Sequence, residues 1–576
     1  MSGPSPLFAS NGRRPNVIII LTDDQGYGDL CCHGNEMIRT PELDRLHGES
    51  VRLTNFHVDP TCAPTRAALL TGRYSTRTGV WHTIMGRSLL HRDERTMADV
   101  LGGAGYRTGI FGKWHLGDNY PMRPQDRGFG ESVVFEGGGI GQTPDHWGND
   151  YYDDTYLHNG VPERYTGYCT DVFFAEAMKF IAADASRPFF VYIATNVPHS
   201  PFIVPEHYRV PYAANGVPRP MDSFYGMIEN MDENLGRLRA SLEALGVDND
   251  TLLIFATDNG TAAGIIGDAT PTGAGAPESN PAGWRGFNAG MRGIKASEYD
   301  GGHRVPCFWR WPAGGIGGGR EVSLLTAHFD VLPTLIDLCA ITPPAGPEFD
   351  GSNLAPLLLG TAATWPERTL FVHRQRAEIP PKWIASAVMT DRWRYNNGGE
   401  LYEIRRDPGQ MTNVAAQHPS VVTELRSRYE TWWNSLAPAM ARHAYIVVGS
   451  EKADPVRLTC HDWHAADQKD VPWNQTQIQA APWVNGFWMI EVARAGRFEV
   501  TLRQQPACVE FPLQPGRARV AVDDNEATAV VPACSTSVTL PLSLRAGPAR
   551  LQTWLSDEEG RSRGAFFVEL RWIGVT

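Results

Sequence analysis

Several things are scarce in this 576-residue chain, and each scarcity removes a class of explanation. No apolar run approaches the roughly 20 residues that a membrane-spanning helix needs, and the stretch Val17–Leu21 is far too short. Cysteine is sparse: nine residues, an odd number, are scattered along the chain, which argues against a disulfide framework. The adjacent pair Cys31–Cys32 reads as small apolar side chains packed in a core. Positive charge is in deficit, with 52 Lys and Arg against 64 Asp and Glu and a formal net charge of −12. That balance speaks against a broad nucleic-acid or anionic-membrane surface. A chain so charged that handles an anion has to gather its cations in one place. The opening MSGPSPLFASNGRRPN lacks an apolar stretch followed by a small-residue cleavage site, so no secretory signal is read. A cytoplasmic location is therefore expected, or a periplasmic or secreted one if a leader was removed. No internal repeat is found, and the sequence is silent on oligomeric state.

What remains is the composition of an ordinary globular protein, 42% hydrophobic and 20% charged, in a chain long enough for two or more packed units. NVIIILT, from Asn16, is a β-branched run that ends abruptly in Asp23 and Asp24, as a buried strand would. Similar runs at Arg107–Phe111, Phe189–Thr195, Leu252–Thr257 and Val305–Trp311 alternate with helical patterns. The clearest pattern spans Met221–Leu245, and another follows Cys62 and stops at Gly72. Alternating strands and helices predict an α/β core with a largely parallel sheet flanked by helices and ligands at the carboxyl ends of its strands. Residues 260–290, rich in Gly, Ala, Pro and Asn, read as a long loop. A boundary falls at 346–360, a smaller subdomain is expected from about 365, and its last helical pattern ends near Leu436. From about Tyr445 the texture changes to period-two segments between Gly and Pro turns, which predicts a separate antiparallel β-sandwich at 445–576. Residues 1–14 read as a polar tail and 15–440 as the catalytic region.

Chemistry concentrates at Cys62-Ala63-Pro64-Thr65-Arg66, which opens a predicted helix. The amide groups and dipole at a helix N-terminus favour an anion, and Arg66, one turn along, can fork onto two anionic oxygens. Asp23 with Asp24, and Asp258 with Asn259, end two predicted strands. Either pair alone reads as a helix cap; all four are oxygen donors, which suits a hard cation such as Ca²⁺ or Mg²⁺ rather than Zn²⁺.

The sequence resembles the type I, formylglycine-dependent sulfatases of the alkaline-phosphatase-like superfamily. The resemblance runs in order through PNVIIILTDDQGYGD, CAPTRAALLTGRY, GYRTGIFGKWHLG, PHSPF, ATDNG, RGIKASEYDGGHRVP and ELYEIRRDPGQMTNVA, from about residue 15 to 435. Nothing similar extends over 445–576. It implies hydrolysis of a sulfate ester by a residue made when a formylglycine-generating enzyme oxidises Cys62 to an aldehyde. It implies one Ca²⁺ held by Asp23, Asp24, Asp258 and Asn259. It further implies that Arg66 positions the aldehyde hydrate, that Lys113 and Lys295 bind sulfate oxygens, that His115 acts as base when the aldehyde is regenerated, and that His199 protonates the leaving alcohol. Without such a match, a lone Lys or His after a strand reads as solvated or structural.

Three further features carry less weight. Residues 136–154 read as a loop at the pocket rim, where His146 and Trp147 are placed within reach of substrate. Cys460-His461-Asp462-Trp463-His464 fits no zinc spacing and reads as structural. Trp473, Trp483, Trp488, Trp554 and Trp572 read as a sandwich core or interface before a carbohydrate platform. Two alternatives stand beside sulfate-ester hydrolysis: a phosphate or phosphonate ester hydrolase of the same superfamily, and a non-catalytic sulfated-glycan-binding protein.

Overall fold

The computed structural model describes residues 14–262, 286–343, 345–374, 376–465 and 471–575. The polar tail and the middle of the glycine-rich loop lie outside these residues.

Strand β1 (Asn16–Thr22) is buried along its whole length, and its side chains divide by period two. Val17, Ile19 and Leu21 pack on one face with Ala63, Ala67, Leu70 and Leu332. Ile18 and Ile20 pack on the other with Phe173, Met227, Met231 and Leu235. The strand is thus covered on both faces by helices, which is why it reads as continuous rather than alternating hydrophobicity. The first layer contains Cys62–Thr71, Met97–Gly103 and Val331–Leu338, and the second contains Cys169–Ala183 and Met221–Ala244.

In chain order the following strands are β2 (Val51–Leu53), β3 (Phe56–His57), β4 (Arg107–Lys113), β5 (Glu131–Phe135), β6 (Thr155–His158), β7 (Val161–Arg164), β8 (Phe189–Ala194), β9 (Thr251–Thr257), β10 (Cys307–Arg310) and β11 (Glu321–Val322). All but β3 form one ten-stranded sheet in the order β11-β2-β10-β9-β1-β8-β4-β5-β6-β7. The five strands β5, β4, β8, β1 and β9 are mutually parallel. β10 runs antiparallel to β9, and β6 and β7 are antiparallel at the other edge. The expected α/β core is present, with a parallel centre and mixed flanks.

A four-stranded antiparallel sheet follows, from Leu370–His373 to Glu400–Glu403, covered by the helix Pro419–Met440. Arg394 of this sheet is fully buried and bonds Asp300 at 2.9 Å, tying the subdomain to the short helix Asp300–His303 that precedes β10. Arg394→Leu strands that carboxylate without a partner, and a loss of about 3–5 kcal/mol in denaturant unfolding is expected. An unchanged midpoint would show that this pair does not join the two units.

The C-terminal region forms two sheets, six- and four-stranded, facing each other across a core that includes Ile490, Phe498, Val520 and Leu570. Its strand Val538–Leu544 alternates buried and exposed at every residue, as period-two patterning requires. Three features add detail to the expected sandwich. The sandwich is not purely antiparallel, because Ile446–Val448 pairs in parallel with Phe487–Val492. It carries a short helix, Gln475–Ala480, capped by the Asn474 side chain. It also packs on the catalytic region: Met85, Leu89 and Met122 of that region are buried in its core. Cys31 departs from expectation, being exposed, while Cys32 is half-buried. All nine cysteines are free. Among the described residues no helix is long and apolar enough to cross a membrane.

Candidate active site

Strands β4, β8, β1 and β9 are adjacent and parallel, so their carboxyl ends open on one edge of the sheet. Each apolar run gives way there to polar residues. β1 hands over to Asp23 and Asp24, and β9 to Asp258 and Asn259. β4 extends two residues further than its apolar pattern suggests and ends on Lys113, with His115 just beyond. β8 leads into the turn that holds His199. Asp24 and His115 have φ of 69° and 60°, left-handed values that cost non-glycine residues energy and mark positions fixed by their surroundings. Cys62 is the first residue of a helix buried throughout, and it faces the same edge.

Three buried carboxylates meet three cations here, one to one. Lys113 Nζ donates to Asp23 Oδ2 at 2.6 Å, Lys295 Nζ to Asp24 Oδ2 at 2.6 Å, and Arg66 NH2 to Asp258 Oδ2 at 2.7 Å. The second oxygen of Asp24 accepts from Asn259 Nδ2 at 2.9 Å, and that of Asp258 from the Asp24 amide at 3.1 Å. Asp23 Oδ1 and Asn259 Oδ1 are buried with no hydrogen-bond partner among the described residues. An orphaned carboxylate oxygen and an orphaned amide oxygen in one cluster are costly unless a cation takes them. Asp258 is pushed up to about 7 by burial and by the charge of Asp23, although Arg66 opposes both. Divalent charge at this point would relieve that repulsion, so the donor set fits a hard cation. Asp23, Asp24 and Asp258 supply the carboxylates and Asn259 the neutral oxygen. Gly260 permits the close turn that follows, because a Cβ there would collide with Gly301 O.

The neighbouring groups have defined tautomers. His115 Nε2 lies 2.8 Å from Thr83 O and so carries the proton, which leaves Nδ1 as the basic nitrogen, buried and without a partner among the described residues. Burial and Lys113 hold this ring well below the usual histidine range, hence neutral. His199 Nδ1 lies 2.6 Å from Ser200 O, and its Nε2 stands 3.8 Å from Asp24 Oδ2. Burial first and Lys295 second hold it down at about 3. Burial also raises the Cys62 thiol against the pull of Lys113 and Lys295, so the unmodified side chain is a protonated thiol and a poor nucleophile.

All ten residues singled out from sequence therefore converge on one site. The rim differs from expectation. His146 is exposed and contacts the sandwich through its carbonyl, while Trp147 packs against the sandwich core. Gly138 and Gly139 instead lie beside His115 and His199, and a side chain at Gly138 would overlap the His115 ring. Tyr151 OH donates to His199 O at 3.1 Å. Of the five tryptophans, Trp488 is buried, while Trp483, Trp554 and Trp572 lie under Arg563, Arg519 and Arg494. Sequence reasoning missed Tyr151, Arg376, whose charge is felt by Cys62 and Asp24, and His461.

This edge of acids, lysines and histidines around a helix-capping cysteine belongs to a hydrolase of the sulfatase family, whose family model, "Sulfatase", matches residues 15–341; the chain is a member of that family. It is 31% identical to mouse (Mus musculus) steryl-sulfatase over 64% of this chain and 68% of that protein. It is 31% identical to arylsulfatase G of Rattus norvegicus over 67% and 76% of the respective chains. Among solved structures it is similar to i-CgsB in complex with k-i-k-neocarrahexaose, with a TM-score of 0.62 and 26% identity over 73% of this chain and 93% of that one. The alkaline-phosphatase-like fold and a sulfuric ester hydrolase activity follow, and a solely glycan-binding role is set aside.

Proposed function

We propose that the chain hydrolyses a sulfate ester to an alcohol or phenol and inorganic sulfate, with formylglycine at position 62 and one Ca²⁺ at Asp23, Asp24, Asp258 and Asn259. The observation that carries this reading is the one-to-one pairing of three buried carboxylates with Lys113, Lys295 and Arg66, beside two orphaned oxygens and Cys62. An aldehyde at residue 62, once hydrated, supplies one hydroxyl to attack sulfur and a second through which the aldehyde returns. The cation, when bound, lowers the cost of an oxygen nucleophile near neutral pH.

The chain's own groups do the rest. Lys113 and Lys295 stand over the cluster and hold the sulfate oxygens, while Arg66 fixes Asp258 and screens the developing charge. His115 offers Nδ1, not Nε2, as the proton acceptor, since Nε2 is committed to Thr83 O. His199 delivers a proton from Nε2 to the leaving oxygen. Its depressed basicity in the free protein arises from burial and from Lys295, and a bound sulfate offsets the lysine charge. The phosphate-ester alternative has less support. Both candidate ligand groups at this edge share Asp23, and lysines occupy the room a second metal needs.

Turnover of 4-nitrophenyl sulfate tests the reaction; its absence from matured, calcium-loaded protein would overturn the proposal. His199→Ala is expected to slow alkyl sulfates, whose leaving groups need protonation, by about 10²–10³-fold and nitrophenyl sulfates by far less. Lys113→Ala is expected to weaken both alike. Equal losses for His199→Ala would move the acid role to another group.

A further inference from the structure

We infer that the C-terminal sandwich is part of the active site, and that His461 is its contribution: a hydrogen-bonding group for the alcohol half of the ester. This inference rests on the sulfate-ester reading above and extends it to a region that the family model's match, ending at residue 341, does not reach.

The geometry has three parts. First, the turn Cys460–Asp462 is driven into the catalytic region. The Met85 amide donates to His461 O at 2.9 Å, and His464 Nδ1 lies 2.9 Å from Glu378 Oε1, which Arg87 also binds. Second, this docking sets the His461 ring beside His115, with centroids 6.3 Å apart. His461 is 2% exposed, its Nδ1 lies 3.4 Å from Asp462 Oδ1, and its Nε2 has no hydrogen-bond partner among the described residues. A buried imidazole nitrogen left unsatisfied next to a catalytic histidine is costly unless a ligand completes it. Third, the sandwich holds the rim loop closed over the same place. Thr143 donates its amide to Trp473 O at 2.9 Å and its hydroxyl to Pro472 O at 3.0 Å, and Gln142 bridges Asn474. That loop carries Gly138 and Gly139, which lie beside His115 and His199.

Lys113 and Lys295 sit at the carboxylate cluster, paired with Asp23 and Asp24, and serve the sulfate oxygens, whereas the neighbour of His461 at this edge is the His115 ring. The group it completes is therefore a hydroxyl next to the ester oxygen rather than the sulfate. This nitrogen comes from the sandwich, so the substrate preference of the enzyme depends on that unit.

The matched pair 2-hydroxy-4-nitrophenyl sulfate and 4-nitrophenyl sulfate, which differ by one hydroxyl next to the ester, isolates this contact. His461→Ala is expected to lower the kcat/KM ratio of the first over the second by about 5–10-fold, the value of one hydrogen bond, while His461→Gln restores part of it. The Ki of inorganic sulfate is expected to stay within about twofold, since His461 does not touch sulfate. Taking the ratio on one preparation cancels any difference in folded fraction. An unchanged ratio, or a sulfate Ki that rises with the loss of activity, overturns the assignment and makes His461 a support for His115. Hydrolysis of neither substrate by the unmutated enzyme would instead count against the sulfate-ester proposal itself.

Discussion

Cys62→Ala is expected to reduce turnover of an aryl sulfate by at least about 10⁴-fold while leaving the protein folded, because it removes the nucleophile and little else. Cys62 is 2% exposed at the start of a helix whose every residue is buried. The substitution deletes one sulfur atom and no hydrogen bond, so the stability cost is about 1 kcal/mol or less. A circular dichroism melt within a few degrees of the parent, together with lost activity, is the expected pair of results. Substantial turnover by the alanine variant would mean that water or another side chain attacks sulfur.

Removal of the cation is expected to be nearly as severe. Chelation with EGTA followed by desalting should lower kcat/KM on the order of 10³-fold, and calcium should restore it. The melting temperature should fall as well. Asp23, Asp24 and Asp258 lie together, each paired with a single cation, and burial with the charge of Asp23 still holds Asp258 up at about 7. Asp24→Ala is expected to abolish calcium binding, measured by metal analysis of the desalted protein. It also strands Lys295, whose buried ammonium is held up by Asp24. Full activity after exhaustive chelation, or zinc in place of calcium, would contradict the donor set of four oxygens.

The parts of the site that were legible in the sequence are those whose neighbours are close in the chain. Asp23 and Asp24 follow directly on NVIIILT, and Cys62 directly precedes a helical pattern, so strand end and helix start could be placed from composition alone. What joins them is non-local: Lys113 reaches Asp23 across 90 residues of chain and Arg66 reaches Asp258 across 192. The sequence reading did not foresee those pairings; the resemblance to a family implied only that these residues serve one site. Strand direction was not legible. Val305–Trp311 looks like any other buried run, yet β10 turns back antiparallel against β9. His461 shows the limit most clearly. Its neighbours in sequence fit no ligand pattern, and its meaning comes from Met85 and His115, residues more than three hundred positions away. The sandwich was legible as a unit because period-two texture marks one, whereas the apolar residues that pack it on the catalytic region, Met85, Leu89 and Met122, lie in loops with no periodicity to read.

The central claim is that residue 62 is an aldehyde in the active enzyme. Mass spectrometry of the peptide containing Cys62, from protein co-expressed with a formylglycine-generating enzyme, tests it most directly. The expected spectrum shows formylglycine at position 62, captured by a hydrazide reagent, in a fraction that rises in step with specific activity. A fully active preparation in which this peptide carries only the intact thiol would contradict the account.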